Sequence, residues 1–193
     1  MERSKEKKII YVYVSLISVL MLICSILIYT GTASPFISCF AVDSDNRVYV
    51  GQHNRIDVFD NGVLVNSIFS KTSRGYVFTV IEDDTIQLST STTVYTMDLD
   101  GNIISSCEDK GSHVYNQIQK IKFSSITTKD GTYCLRGIFG WTRIVKNNAI
   151  VVYQLSPLSF AVKITLYTLA FSLVIFTTLV GWYRRKQTGR NFR

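Results

Sequence analysis

The chain has 193 residues, a formal net charge of +7, an isoelectric point of about 9.3 and 47% hydrophobic residues. Once its two strongly apolar ends are set aside, a chain of this length is expected to hold one folded domain. The positive charge lies at the ends: residues 1–8 carry four basic and two acidic side chains, and residues 183–193 carry five basic and no acidic ones. High basicity often indicates nucleic-acid binding. Here it flanks apolar segments, so we expect no nucleic-acid partner.

The first predicted element is a transmembrane helix over residues 9–30, which follows a cytoplasmic tail of residues 1–8. Ile9–Tyr29 contains 21 residues without a charge. As a helix this run measures about 31 Å, against about 30 Å of bilayer hydrocarbon. The alternative is a signal peptide over residues 1–33 that is cleaved after Gly31-Thr32-Ala33. We favour the retained anchor because the apolar run is longer than the roughly 7–15 residues of such a peptide.

Four short strands separated by three turns follow this helix. A turn of the Asn-Gly type, Asn61-Gly62, lies between two apolar runs. It is a strong hairpin signal because both central positions of such a turn favour positive φ. The predicted strands of this first unit are Phe40–Asp43, Val48–Val50, Arg55–Phe59 and Val63–Phe69.

The same pattern recurs twice further along the chain. The second unit has strands Tyr76–Ile81, Thr85–Leu88, Thr93–Asp98 and Ile103–Ser106, with its first turn at Glu82-Asp83-Asp84. The third unit has strands Phe123–Thr128, Thr132–Leu135, Thr142–Val145 and Ala149–Gln154. Three repeats of four strands at similar turn spacing predict three four-stranded antiparallel units, stacked like propeller blades. The alternative is a generic antiparallel β-domain. A short helix is expected over residues 112–122, where apolar residues recur at near-helical spacing.

The last predicted element is a second transmembrane helix over residues 159–183, followed by a basic tail over residues 184–193. The uncharged part of this helix is Ile164–Trp182. Basic flanks stay in the cytoplasm by the positive-inside rule. Both termini are therefore predicted to be cytoplasmic, and residues 31–158 are predicted to form an all-β domain outside the plasma membrane. The lipid bilayer is then one partner of the chain.

The first unit resembles the NHL-type β-propeller repeat. Its residues 42–50 match the Asp-rich hairpin and Tyr-Val strand of that repeat, and residues 54–62 match the Arg-Ile-x-Val-Phe strand with its Asn-Gly turn. The resemblance implies a blade architecture and binding of protein, nucleic acid or other ligands on the propeller faces. Such propellers usually have about six blades, whereas three units fit here. We favour an open stack whose ends are covered by Thr32–Ile37 and Leu155–Ser159; the alternative is a ring completed by two copies.

Motifs for metal or catalytic chemistry are not found. Asp98-Leu99-Asp100-Gly101-Asn102 resembles a calcium loop, but the Gly and Glu that such a loop needs at its sixth and twelfth positions are replaced by Ile103 and Asp109. The run is better explained as a hairpin turn. The chain has no His-Glu-x-x-His, no Gly-x-Ser-x-Gly and no phosphate-binding Gly-rich motif. We therefore expect no metal, no cofactor and no catalytic residue.

Three of the four cysteines lie outside the predicted membrane helices, so one disulfide at most can form among them. Cys107 and Cys134 are the candidate pair on sequence order alone. Free thiols at both positions are the alternative.

Three residues make up a candidate binding surface: His53, Arg55 and Trp141. His53 lies in a tight break between two strands, with Arg55 just after it. Trp141 follows two glycines and two bulky apolar residues, and is interpreted either as a core residue or as an exposed binding anchor.

The function that this sequence predicts is a membrane-tethered extracytoplasmic binding or scaffold module, which has a protein partner or associates with itself. One alternative is an envelope sensor or an accessory subunit of a membrane complex. Another is a cell-surface enzyme without a recognisable motif.

Overall fold

The computed structural model describes residues 2–69, 75–81, 85–121, 123 and 125–190, and only the backbone of residues 2–9 and 183–190. It divides into two compact units, which are not the four-strand units of the sequence. From here on, the first unit means Met1–Ala33 with Ala161–Arg193, and the second unit means Ser34–Phe160. The turn predicted at Glu82-Asp83-Asp84 lies outside the described residues, as does Arg193 of the basic tail.

Two long helices bracket the chain, as predicted. Helix α1 spans Glu2–Tyr29 and helix α3 spans Pro157–Arg190. The stretches Ile10–Tyr29 and Pro157–Trp182 are long and apolar enough to cross a membrane, by length and composition. Helix α3 begins several residues before the predicted uncharged run, because the backbone there can already form a helix: Pro157 suits a first helical position, and the Ser156 hydroxyl accepts the Ser159 N–H at 3.2 Å.

The first unit contains contacts between its two helical segments. The rings of Tyr13 and Phe176 lie 4.7 Å apart at an interplanar angle of 32°. A small buried cluster contains Cys24, Ala33 and Val162. Small side chains of this kind allow helix backbones to approach closely in an apolar environment.

The second unit contains all twelve predicted strands, arranged in three four-stranded antiparallel sheets with neighbouring strands consecutive in sequence. Sheet 1 consists of β1 (Phe40–Val42), β2 (Val48–Gly51), β3 (Arg55–Asp60) and β4 (Val63–Phe69). Sheet 2 consists of β5 (Val77–Ile81), β6 (Thr85–Ser89), β7 (Thr93–Met97) and β8 (Ile103–Glu108). Sheet 3 consists of β9 (Ile126–Thr128), β10 (Gly131–Arg136), β11 (Arg143–Lys146) and β12 (Ile150–Gln154). The predicted short helix is α2 (His113–Ile121), and a single 3₁₀ turn precedes it.

The turn chemistry explains why these strands form hairpins. Asn61 and Gly62, between β3 and β4, have φ of 48° and 83°; Asn147 and Asn148, between β11 and β12, have φ of 52° and 59°. Turns with two positive-φ residues match the twist of the flanking strands, and Asn and Gly adopt this conformation at little steric cost. The two hairpins are therefore encoded locally.

Sheet 1 lies between the other two sheets. Tyr49, Ile56 and Val58 are buried against sheet 2, in a cluster that includes Phe78 and Leu88. Val48 and Val50 precede and follow Tyr49 in the strand. They belong instead to a cluster with side chains of sheet 3, including Tyr133 and Ile144. Since successive side chains of a strand point to opposite faces, both faces of sheet 1 are covered. This explains why β2 is buried along its whole length.

The outward faces of sheets 2 and 3 carry polar residues beside a few apolar ones. On sheet 2, Gln87 pairs with Thr96, which in turn pairs with Ser105. They lie on the face opposite Ile86 and Leu88, the buried apolar residues of β6. On sheet 3, Arg136 pairs with Arg143, and both are exposed. A stack whose terminal faces carry polar residues can end in water without a further sheet.

Gly51 lies where sheet 1 approaches sheet 2 most closely. A Cβ at this position would lie 2.8 Å from Cε1 of Phe78 and 3.3 Å from the Cys39 carbonyl oxygen, and it would also meet the Ser38 hydroxyl. The Ser38 hydroxyl can rotate away, but the Phe78 ring is fully buried and the carbonyl belongs to the backbone. The seam between the two sheets therefore requires glycine here.

We expect Gly51→Ala to lower the free energy of unfolding by about 1–3 kcal/mol, the usual cost of overpacking a core. Gly75→Ala is the matched control, because a Cβ there meets nothing within 4 Å. It should change stability by less than about 0.5 kcal/mol. Urea unfolding of the two variants, followed by the circular dichroism of the β-sheets, measures both values. Equal effects at the two positions would contradict the close approach at Gly51.

Candidate binding surfaces

A pocket opens at one end of the second unit, which we call the tip. Its volume is about 330 Å³ and residues from all three sheets line it. The lining residues are Val42, Asp43, Ser44, Asn46, Val80, Ile81, Thr128, Lys129 and Asp130. The first strands of the three sheets lead to it, since β1 contacts both β5 and β9. The pocket is thus the place where the β1–β2 and β9–β10 turns meet the end of β5.

Asp43 organises the sheet 1 side of this pocket. Its carboxylate accepts the backbone N–H groups of Asp45 and Arg47 at 3.0 and 2.8 Å, the Arg47 Nε–H at 2.7 Å and the Tyr49 hydroxyl at 3.0 Å. The Asp43 side chain is fully buried, so each of these bonds matters to the fold. The Asp-rich hairpin that carries the NHL resemblance therefore contains a structural carboxylate.

Side chains of sheets 1 and 3 are joined across the pocket. Asn46, in the left-handed conformation at φ 65°, donates its amide N–H to Asp130. Its amide oxygen accepts the Thr128 hydroxyl at 3.0 Å and the Tyr133 hydroxyl at 3.4 Å. Asn46 thus couples the β1–β2 turn to the β9–β10 turn. The sequence indicates both turns separately, but nothing in it indicates that they meet.

His53 and Arg55 of the predicted binding surface lie at the other end of the unit, which we call the base. His53 is exposed in the turn between β2 and β3. Arg55 Nε lies 3.0 Å from the Asp57 carboxylate, in the geometry of an ion pair and not of a hydrogen bond. An Arg55 guanidinium N–H also lies 3.4 Å from the Gln52 amide oxygen. Arg55 thus interacts with its own strand and turn.

Trp141, the third predicted residue, is partly packed like a core residue and partly exposed like a binding anchor. Its side chain is 44% exposed, yet its indole N–H donates to the Leu155 carbonyl at 2.8 Å. One ring face stacks on Phe160 at 4.8 Å and 12°. Trp141 is therefore anchored at its polar edge and presents the rest of the ring at the surface. Its contacts are not those of His53 or Arg55, so the three predicted residues do not form one network.

No disulfide joins the four cysteines, all of which lie in the part of the chain that the structure describes. Cys107 is exposed on β8 of sheet 2, and Cys134 is partly buried on β10 of sheet 3. The predicted bridge between them is not formed, because the two residues lie on different sheets that are separated by sheet 1. Cys24 and Cys39 are buried.

The acidic run at Asp98 forms the predicted hairpin turn. The Asp98 carboxylate accepts the backbone N–H groups of Asp100 and Asn102 at 3.0 and 2.7 Å, and the Asn102 amide at 2.8 Å. These bonds, that of the Asn102 side chain foremost, lower the pKa of Asp98. Within the described ranges no cluster of three or more His, Cys, Asp or Glu residues is arranged to hold a metal ion.

Exposed apolar residues that the sequence analysis missed lie on the outer strands near the tip. We call this set the outer patch; it consists of Val63, Leu64, Val65, Ile150 and Val151. All five side chains are between 41% and 65% exposed. The hairpin that begins β4 lies against β12, since a Cβ on Gly62 would lie 3.7 Å from the Val151 carbonyl oxygen. The three consecutive aliphatic residues after Asn61-Gly62 were the available signal, because they break the alternation of an edge strand with one face in water.

Tyr153 lies in the core between sheets 1 and 3, with its ring 5.1 Å from that of Phe59. Burial, with a smaller effect of the nearby Asp57 carboxylate, raises the pKa of the Tyr153 hydroxyl to about 12. An unfolded tyrosine has a pKa of about 10. The folded state therefore binds the phenolic proton more tightly than the unfolded state does.

Stability is consequently expected to fall with rising pH above about 10. The contribution of Tyr153 is fully present below the unfolded pKa and is lost between about pH 10 and 12, at up to about 1.4 kcal/mol per pH unit. Tyr153→Phe should remove this part of the slope and leave that of Tyr76, whose pKa burial also raises. Urea unfolding at pH 8 to 12 measures the difference. Parallel curves for the two proteins would contradict it.

No family model matches the chain, and no curated protein matches it in sequence. The fold alone therefore defines its class: a unit of three antiparallel sheets carried between two apolar helices.

Proposed function

We propose that this chain is a membrane-anchored extracytoplasmic module that binds a protein partner through the free edge of β4. Helices α1 and α3 cross the plasma membrane with both termini in the cytoplasm, and the three-sheet unit lies outside. The chain then tethers a recognition domain at the membrane surface.

The anchoring rests on the two apolar stretches and the distribution of charge. Ile10–Tyr29 carries no charged residue, and Pro157–Trp182 carries one, Lys163. Such stretches satisfy their backbone hydrogen bonds internally, as lipid requires. Basic residues at both ends of the chain favour a cytoplasmic position for both termini.

The NHL-type blade interpretation is supported by the form of the sheets. Each has four strands in consecutive order, and the first strands lie next to each other at the middle of the stack. This is the arrangement of propeller blades around an axis. The polar residues on the outward faces of sheets 2 and 3 favour an open stack of three such blades over a ring completed by a second copy.

The binding proposal depends on the composition and exposure of the edge strand β4. This strand is the outermost of sheet 1, has no charged residue in its sequence VLVNSIF, and is exposed over its first four positions. Edge strands normally carry charges, prolines or bulges that prevent pairing with another chain. An uncharged edge strand that pairs with β3 alone among the described strands fits a partner that adds a strand and contacts the exposed apolar side chains of the outer patch.

A photoreactive amino acid at Leu64 tests this proposal in cells that naturally produce the chain. We expect a discrete cross-linked product of defined mass, because Leu64 is 52% exposed on the edge strand β4 and belongs to the outer patch. The matched control is Ser105, which is also exposed, on the edge strand β8 of sheet 2, and is a polar position outside the outer patch, so it should give no such product. Adding Val65→Lys should weaken the Leu64 product, because a charge at an edge opposes strand pairing.

A product with twice the mass of the chain would identify the partner as a second copy. Identical results at Leu64 and Ser105, or no product at Leu64, would overturn the proposal.

A further inference from the structure

The base of the second unit is closed by contacts between its first and last residues. The Ser34 backbone N–H donates to the Ser159 hydroxyl at 2.9 Å. The chain leaves the unit one residue later, at Phe160, within the apolar stretch Pro157–Trp182 of α3. The base is thus the end of the unit that adjoins the candidate membrane segment in the chain.

The loop between β10 and β11 lies at this base. Trp141 stacks on Phe160, and its N–H is bonded to the Leu155 carbonyl just before α3. Because Phe160 belongs to the apolar stretch itself, this stacking places the loop beside the first turn of that helix. The sequence of the loop, Gly137-Ile138-Phe139-Gly140-Trp141, is apolar throughout.

The loop is held in a conformation that presents its apolar side chains outward. Gly137 has a φ of +69°, and its carbonyl accepts the Gly140 N–H at 3.0 Å and the Thr142 hydroxyl at 3.1 Å. Phe139 at the top of this turn is 82% exposed, the largest exposed fraction among the apolar side chains of the second unit that the structure describes. Ile138 is 49% exposed. A loop fixed by its own hydrogen bonds thus displays exposed apolar side chains at the base.

A basic side chain borders the same loop. Gly137, Trp141, Arg143 and Gln154 line an open pocket of about 400 Å³. Arg143 is exposed there, and Arg136 is its direct cross-strand neighbour. Guanidinium groups match the geometry of phosphate oxygens, and aromatic rings with one polar edge favour the boundary between lipid and water.

We propose that the loop 137–141 is a third membrane contact: Phe139 and Trp141 insert into the outer lipid–water interface, and Arg143 lies at the level of the headgroup phosphates. The inference rests on the proposed anchoring by α1 and α3, and adds a lipid-binding site on the β-sheet unit itself. Its consequence is orientation, because a third contact fixes the base against the bilayer and directs the tip and the outer patch away from it.

Tryptophan fluorescence of the full chain in phosphatidylcholine–phosphatidylglycerol vesicles tests this contact. The chain has two tryptophans, so Trp182→Phe leaves Trp141 as the single reporter. We expect its emission at shorter wavelength than in water, and quenching by lipids that carry bromine near the headgroup end of the acyl chain. Phe139→Trp, combined with replacement of both natural tryptophans by phenylalanine, places the reporter at the top of the loop and should be quenched likewise.

The matched control is Val63→Trp in the same tryptophan-free background. Val63 is 65% exposed and lies at the tip, so its reporter should show no lipid quenching. Quenching at position 139 no stronger than at position 63 would overturn the inference. Trp141→Phe separates this result from a failure of anchoring, because Trp182 is then the only tryptophan. If Trp182 alone is quenched, the helices are in the membrane and the loop is not; if no reporter is quenched, the proposed anchoring itself fails.

Discussion

Replacing Asp43 by alanine is expected to lower the free energy of unfolding of the sheet unit by about 3–5 kcal/mol, because each buried donor that loses its hydrogen bond costs about 1–3 kcal/mol. The Asp43 carboxylate is fully buried and accepts four hydrogen bonds, two of them from Arg47. Without it, the Arg47 Nε–H and the buried Tyr49 hydroxyl lose the hydrogen bonds that they donate to Asp43. Two backbone N–H groups of the β1–β2 turn lose theirs as well, which adds to the destabilisation.

Asp45→Ala is the matched control for this effect. Asp45 pairs with the same arginine at 3.1 Å, but its side chain is 68% exposed. Exposed ion pairs contribute about 1 kcal/mol at most. Urea unfolding of both variants in detergent micelles, followed by β-sheet circular dichroism, measures the two losses. Similar values for Asp43→Ala and Asp45→Ala would show that the hairpin does not depend on the buried carboxylate.

The second large effect is expected for Phe78→Ala, which should lower the free energy of unfolding by about 3–5 kcal/mol. Phe78 is 1% exposed and lies in the core between sheets 1 and 2, where it also limits the space at Gly51. Its removal leaves a cavity between two sheets that are otherwise joined by the remaining core packing and by a few hydrogen bonds, such as those from the Tyr76 hydroxyl to the Gln52 and Arg55 carbonyls. Loss of the Phe78 ring should therefore loosen sheet 2 from sheet 1.

Phe69→Ala provides the control with the same change of side chain. Phe69 is 64% exposed at the end of β4, so its removal should alter stability by less than about 0.5 kcal/mol. Proteolysis adds a readout of where the structure opens. In Phe78→Ala we expect faster cleavage within residues 75–121, while sheet 3 stays protected. Uniform acceleration along the unit would indicate that sheets 1 and 2 do not form a separable interface.

Much of the local structure could be predicted from the sequence. Strands and hairpins follow from turn residues such as Asn61-Gly62 and Asn147-Asn148, whose positive φ the structure contains. Helix α2 follows from its apolar spacing. These features depend on interactions between neighbours in the chain, so short segments are sufficient to indicate them.

The order of the sheets could not be predicted in this way. Packing between sheets depends on contacts between residues far apart in sequence. Each of the three sheets has apolar residues for at least one face, so these residues do not indicate which sheet is central. A signal was present in β2, since Val48, Tyr49 and Val50 are apolar without alternation and the strand is buried on both faces. That pattern is typical of a central sheet, and it distinguishes sheet 1 from sheets 2 and 3.

The candidate surfaces depend on the same long-range arrangement. Asn46 and Asp130 are 84 positions apart, in two separate turns between strands, yet they meet across the tip pocket. Trp141 was singled out by its residue type, but its role depends on Phe160 and Leu155. Residue type can therefore suggest an anchor, whereas the surface to which it belongs appears only in the folded unit.

The central claim, that two helices hold the sheet unit outside the membrane, is tested most directly by labelling a natural thiol. Cys107 is exposed on β8, and Cys134→Ser leaves it as the single thiol of the sheet unit that is not buried. A membrane-impermeant maleimide should label Cys107 in intact cells. With both of these cysteines replaced by serine, Ser4→Cys in the N-terminal tail should be labelled only after permeabilisation. Labelling of Cys107 that requires permeabilisation, or labelling of Ser4→Cys in intact cells, would contradict the account.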